Sequence, residues 1–385
     1  MYKKNISSLS TIIIFNLLCT ITQSLQASAD YLTTITTVAT DGSQPYLGVY
    51  SPDNKWFATA NYISCSITIF DVDATTGQMA QIQNSPFSGG GLGDAYPLTY
   101  SPIIEGKYYL AAANYTGDQV VTYSVDSTSG QITEIGSYAI GYEPNSVAYS
   151  PNGQWLAVAN YGDPDGGSIT VYSVDPSSGT LNSGSTFNYL DITGLNAPGA
   201  ALYSADNRYI AILNYGDGKI IVCPVDQNTG ALGTALPPVA TGTASSNTFL
   251  AYSPDGKWLA ATGYEPVVYV FAANANGTLT PVAGSPFATT AEPYVPTYSP
   301  DSTHLAVTCS DNMVRAFSVN ANGALTEVAA ANTGSYPWNV TYSPNGLWLA
   351  VTNVDDADVS VFAVTPSTPG ATPFVTRLIQ KYGKA

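Results

Sequence analysis

One phrase recurs seven times in this chain and sets what it can fold into: a Tyr-Ser pair, usually a Pro-Asp or Pro-Asn turn, then an aromatic ring. It reads YSPDNKW from Tyr50, YSPIIEGKY from Tyr100, YSPNGQW from Tyr149, YSADNRY from Tyr203, YSPDGKW from Tyr252, YSPDSTH from Tyr298 and YSPNGLW from Tyr342. Successive tyrosines lie 50, 49, 54, 49, 46 and 44 residues apart. A period of that size marks supersecondary units that cannot bury their apolar faces alone and must stack on one another. The repeat runs through nearly all 385 residues, so it predicts one closed body rather than the two domains that length alone suggests.

Each unit encodes four strands. The first ends in the Tyr-Ser pair, as in NSVAYS. Pro presets φ for the following turn, and Asp or Asn can bond its own backbone there. The second strand opens on the ring and runs apolar (WFATAN, WLAVAN, YIAILN), and the third alternates (SITIFDVD, SITVYSVD, KIIVCPVD). A hairpin glycine follows in every unit: Gly77, Gly130, Gly179, Gly230, Gly277, Gly323 and Gly370. A short fourth strand then leads onward. Seven such units predict an all-β, seven-bladed β-propeller with four antiparallel strands per blade. The last unit has no good fourth strand before its Pro-rich stretch, whereas Leu32–Thr40 resembles one. The N-terminal strand is therefore expected to close the last blade, which removes an exposed edge; Phe374–Ile379 is the alternative.

Residues 1–29 read as a secretory signal, with Lys3 and Lys4, an apolar centre at Ile12–Leu18 and an Ala27-Ser28-Ala29 cleavage site. Residues 30–370 then form the propeller and 371–385 a C-terminal tail. The expected location is periplasmic or secreted, with no membrane insertion once the signal is cleaved. The chain has 11 basic and 27 acidic residues; without the leader its formal charge is 9 − 27 = −18. Such a body repels nucleic acid, which is excluded as a partner. Cys65, Cys223 and Cys309 fall in non-adjacent repeats and are expected as separate buried thiols. The chain is expected to be a monomer.

On such a frame the turns joining strands one and two, and three and four, are nearly uniform and serve the scaffold. The loops on the opposite face vary, and binding usually resides in variable loops on a rigid frame. The loops that feed the first strands converge on the central channel. They carry Gln44, Asp94, Glu143 and Glu292, with Tyr46, Tyr96, Tyr294 and Trp338 close behind. This predicts a mouth of carboxylates and aromatic faces suited to a protein or a small polar ligand. The repeated Asn-Tyr pairs (Asn61-Tyr62, Asn114-Tyr115, Asn160-Tyr161, Asn214-Tyr215) are expected as turn residues. Asp163 and Asp165, and Asp355, Asp356 and Asp358, lack the spacing of a calcium loop, so no metal is expected, and no cofactor. The one histidine, His304, occupies the slot of the second-strand ring, which removes a Ser-His-Asp triad and His-ligated zinc or haem.

The phrase QPYLGVYSPDNKWFATANY with its following SITIFDVDATTGQM resembles the repeats of lactonase-type seven-bladed propellers. That family includes bacterial 6-phosphogluconolactonase and fungal carboxymuconate-lactonising enzymes, and its repeats are also similar to YVTN-type surface propellers. The resemblance covers roughly residues 31–370 and implies the same fold, with lactone hydrolysis or lactonisation as the family activity. Members often place His after the Pro that opens the first strand, with Arg or His in later repeats. Tyr46, Asn145, Gly199, Tyr294 and Trp338 stand at those positions here, so no catalytic residue carries over. Lys55, Lys107, Arg208 and Lys257 sit in scaffold turns, which leaves Lys219 and Arg315 for a site and makes a phosphosugar a poor ligand. The primary expectation is a non-catalytic exported binding module whose ligand contacts are Gln44, Tyr46, Tyr96, Tyr294, Trp338 and Arg315. The alternative is a lactone hydrolase or lactonising enzyme, with acid/base work at Asp94, Glu143 or Glu292.

Overall fold

The computed structural model describes residues 31–88, 95–162, 166–188, 191–241 and 247–365; the expected signal segment and C-terminal tail lie outside them. Every regular element among these residues is a β-strand. The strands form seven antiparallel sheets, one per repeat, and so seven blades. In blade 3 the order is Pro144–Tyr149, Trp155–Asn160, Ser168–Val174 and Leu181–Asn188, each strand paired to the next. The second strands are buried almost throughout, because they are covered by a neighbouring blade on both faces.

Closure follows the N-terminal route. Leu32–Ala39 pairs antiparallel with Asp358–Val364 of blade 7, from Leu32 opposite Val364 to Ala39 opposite Asp358. Blades 1 and 7 then meet through side chains as well. Thr352 Oγ1 donates to the Tyr46 carbonyl at 2.9 Å, and the Gly48 amide donates to Asn339 Oδ1 at 3.1 Å.

The repeated phrase has a physical task at each position. The serine Oγ accepts from the amide of the second-strand ring residue, as in Trp155 N to Ser150 Oγ at 2.9 Å, and donates to Asn152 Oδ1 at 2.7 Å. The hairpin glycine of one blade lies on the ring that opens the second strand of the preceding blade. Gly130 sits on Trp56, Gly179 on Tyr109, Gly230 on Trp155, Gly277 on Tyr209, Gly323 on Trp258 and, across the closure, Gly77 on Trp348. A methyl group added at Gly130 would stand 2.7 Å from the Trp56 ring, and φ there is +70°, so both contact and conformation demand glycine. His304 is the one such ring that the chain's beginning covers: Tyr31 stacks on it at 4.4 Å and its hydroxyl reaches Tyr342 Oη at 3.1 Å. Burial lowers the His304 pKa, in keeping with a packing position.

Cys223 and Cys309 are buried and Cys65 half-buried, none of the three in a disulfide, and burial pushes the first two up to about 12.

Two alanine substitutions separate conformation from contact. Gly106→Ala adds a methyl at φ +79° with nothing within 4 Å, whereas Gly130→Ala adds one at φ +70° against Trp56. Urea unfolding is expected to show G130A less stable than G106A by about 1–3 kcal/mol. Equal losses would mean that the rings are not seated on the glycines.

Candidate functional site

The channel mouth is built by a defect repeated in every blade. The ladder between first and second strands shifts register just after the first strand begins: between Pro45 and Leu47, Pro144 and Ser146, Pro198 and Ala200, Pro293 and Pro296, and Pro337 and Val340. A bulge leaves one residue outside the ladder and re-aims its side chain. Tyr46, Asn145, Tyr294 and Trp338 occupy these bulges. The residue before each bulge hooks the end of the second strand with its carbonyl: Gln44 accepts from Tyr62 N at 2.9 Å, Glu143 from Tyr161 N at 3.0 Å, and Glu292 from Ser310 N at 2.9 Å. Gln44 and Glu143 take φ of 57° and 51° to do so, a conformation rarely adopted outside glycine.

Trp338 is the centre of an aromatic cluster. Its ring lies 5.4 Å from Tyr46, 5.1 Å from Tyr294, 5.4 Å from Tyr336 and 5.6 Å from Phe249, joining blades 1, 5, 6 and 7. A cavity of about 300 Å³ opens beside it, lined by Tyr46, Tyr62, Tyr115, Asn145 and Trp338. A second, of about 400 Å³, is lined by Tyr115, Asp118, Tyr142, Glu143 and Gly162. Tyr115 belongs to both. Deeper, the channel is lined mainly by apolar side chains such as Leu98, Val147, Leu250 and Val295.

Glu143 is a carboxylate of this rim. Its amide donates to Asp118 Oδ1 at 3.0 Å, and its side chain shares the wall of the second cavity with Tyr115. It lies over Gly162, where a methyl group would stand 2.6 Å from Oε2. Burial and then the Glu143 charge push the Tyr115 phenol up to about 12, so it remains a proton donor through the neutral and mildly alkaline range.

The sequence-predicted residues separate in space. Tyr46 and Trp338 share one cavity, and Tyr294 stacks on Trp338. Gln44 contributes its backbone hook. Glu292 is exposed at the blade 6 entry, near Tyr264 and Tyr294, whose phenols are raised first by burial and then by neighbouring groups that include the Glu292 charge. Asp94 lies outside the described residues, and Tyr96 is placed in Ala95–Tyr100 by its backbone alone. Arg315 is buried in blade 6, bound to Asp311 through two bonds of 3.0 and 2.6 Å, and lines none of these cavities. Lys219 is paired with Asp217 at 2.7 Å. Among the described residues no cluster of His, Cys, Asp or Glu could hold a metal ion.

Sequence reasoning missed Tyr62 and Tyr115. The Asn of each Asn-Tyr pair is a buried tie, as in Asn61 Nδ2 to Thr68 Oγ1 at 2.8 Å, but the tyrosine that follows stands on the rim. Tyr161 and Tyr215 continue that collar, edge to face at 5.5 Å. The signal available was shared geometry: the loops after second strands open on the same face as those before first strands.

The Glu143 charge beside Tyr115 predicts a titration. A phenol whose folded pKa exceeds its unfolded value stabilises the fold fully below pH 10, and that contribution is lost as pH rises toward 12. In Glu143→Gln the Tyr115 resonance, followed by NMR of ring-labelled tyrosine, is expected to titrate at lower pH than in the wild type. An unchanged midpoint would mean that the Glu143 charge does not act on Tyr115.

With this geometry in place, comparison with known proteins is informative. The family model "Lactonase, 7-bladed beta-propeller" matches residues 103–190 and 204–380, more than half of the chain. A curated relative, the 6-phosphogluconolactonase of Bacillus subtilis, is 24% identical over 200 residues, a stretch covering 50% of this chain and 56% of that protein. The chain thus matches only a little over half the length of that relative. Among solved structures, the periplasmic gluconolactonase of Pseudomonas aeruginosa aligns with a TM-score of 0.64 at 21% identity, covering 86% of this chain and 93% of that one. A candidate 6-phosphogluconolactonase of Bacteroides uniformis aligns at 0.67 and 20% identity, covering 78% and 89%. At these identities the structural likenesses show the fold alone. The family match overturns the expectation of a non-catalytic interaction module. That expectation rested on histidine and arginine missing from the family's positions, and it overlooked the carboxylate–phenol pair that stands at this rim. The chain belongs to the lactonase family of seven-bladed β-propellers.

Proposed function

We propose that this protein hydrolyses a lactone, the internal ester of a sugar acid, at the rim of its channel. The observation that carries the reading is Glu143 and Tyr115 lining one cavity at the rim, next to an aromatic-walled one. The Glu143 carboxylate takes a proton from water as it attacks the ester carbonyl. The ring C–O bond then breaks, and the departing alkoxide recovers that proton, giving the open hydroxy acid. Asn145 lines the adjoining cavity, which shares Tyr115 with that of Glu143, and its side-chain amide is a donor toward the carbonyl oxygen. The faces of the rim aromatics suit the apolar face of a sugar ring.

The substrate is uncharged in this reading. None of the described lysines and arginines lines either rim cavity. Lys219 and Arg315 are already ion-paired, and the body is strongly acidic, which disfavours a phosphate at long range. The segment with Lys3, Lys4 and Ala27-Ser28-Ala29 supports export, in line with the periplasmic location of the Pseudomonas aeruginosa neighbour.

Three measurements test this. Purified protein is expected to accelerate opening of glucono-δ-lactone and to act less well on its 6-phosphate. Glu143→Gln is expected to lower kcat/KM by about 10²-fold or more, while Glu292→Gln leaves it nearly unchanged. Full activity in E143Q would remove Glu143 from the mechanism, and preference for the phosphate would refute the substrate reading. Mass analysis of protein from the periplasmic fraction is expected to find residue 30 as its first; an intact leader there would contradict export.

A further inference from the structure

On the face opposite the mouth, one turn after a Tyr-Ser pair lacks the proline of the others. Six of the seven turns after the Tyr-Ser pair carry proline: Pro52, Pro102, Pro151, Pro254, Pro300 and Pro344. The fourth carries Ala205. In the assembled ring three of these turns face a glycine of the next turn. A methyl at Gly153 would meet Pro102 at 3.2 Å and one at Gly346 would meet Pro300 at 3.7 Å, whereas one at Gly256 meets only the Ala205 Cβ, at 3.5 Å. The missing pyrrolidine ring opens a groove of about 390 Å³ between blades 4 and 5. At its floor is Tyr252. The equivalent Tyr50, Tyr100, Tyr149, Tyr203, Tyr298 and Tyr342 are buried, and Tyr252 alone of the seven is not.

The walls of the groove carry two ion pairs, one from each blade. Arg208 is bound to Asp206 at 2.7 Å and Lys257 to Asp255 at 2.9 Å. Each carboxylate is also fixed from within, Asp206 by Ser204 Oγ and Asp255 by Ser253 Oγ, both at 2.7 Å. Arg208 further lies 5.4 Å from the Tyr209 ring centre, so its position is set on two sides. Such pairs present an acceptor and donors side by side in a fixed geometry, which lowers the ordering cost of binding. A ligand with a full charge would compete with an existing partner on either side. Adjacent hydroxyl groups do not, because each can donate to a carboxylate oxygen and accept from the neighbouring cation.

We propose that this groove is a second binding site, distinct from the channel mouth, for a neutral polyol whose vicinal hydroxyls bridge the Asp206–Arg208 and Asp255–Lys257 pairs over the Tyr252 hydroxyl. The proposal is independent of the lactonase reading, since it uses no rim residue.

The test is saturation-transfer NMR of the full-length protein with glucitol, with gluconate as the charged comparison. Ala205→Pro installs the ring present in the other six turns and fills the groove without touching the rim; Tyr252→Phe removes only the hydroxyl. Wild-type protein is expected to bind glucitol saturably, with little dependence on salt and unchanged by Glu143→Gln. Both groove variants are expected to bind about tenfold more weakly or worse. Should A205P fail to fold, Y252F alone decides the matter. No saturable binding, binding insensitive to these variants, or a salt-sensitive preference for gluconate would each overturn the proposal.

Discussion

The antiparallel pairing of Leu32–Ala39 with Asp358–Val364 is the contact on which the rest of this molecule depends. A propeller gains its stability by having each blade cover the next, so one open interface leaves two sheets half-exposed. Here the closure also assembles chemistry. Trp338 belongs to blade 7 and Tyr46 to blade 1, and their rings meet at 5.4 Å only because the two blades are held side by side. The pairing therefore links one end of the sequence to the mouth of the channel, although neither of its strands contributes a side chain there.

The two faces divide the work in a way that follows from backbone geometry. On the scaffold face, hairpin glycines lie flat on the rings of the preceding blade, and serines tie each turn to the strand behind it. These contacts repeat because every interface poses the same packing problem. On the opposite face the same repeat delivers a bulge and a strand end, two positions per blade whose side chains reach the rim. Tyr62, Tyr115 and Asn145 occupy such positions, and Glu143 stands two residues before the bulge residue Asn145. A uniform scaffold can thus hold a non-uniform rim.

The fold was legible because its determinants are local and repeated. The Tyr-Ser-Pro-Asp turn, the ring that follows and the hairpin glycine are contiguous signals, and even closure could be read from the missing fourth strand after blade 7. The site was legible only in part. Tyr46, Tyr294 and Trp338 were found because they follow a proline that announces a first strand. Tyr115 was set aside as a turn residue, since nothing in the string shows that its loop and that of Glu143 come from adjacent blades and meet. Arg315 was singled out for its scarcity as a cation, whereas the fold buries it against Asp311. Ion pairs across a loop and hydrogen bonds between blades are properties of the assembled ring, and a linear reading does not contain them.

Hydrogen exchange on the intact protein tests the closed ring most directly. The amides of Leu32–Ala39 that pair with Asp358–Val364 are expected to be protected to a degree comparable with the inner strands of the other blades, and to open together with blade 7. Rapid exchange across Leu32–Ala39, while the amides of Trp348–Asn353 stay protected, would contradict closure by the N-terminal strand and with it the shared mouth of blades 1 and 7.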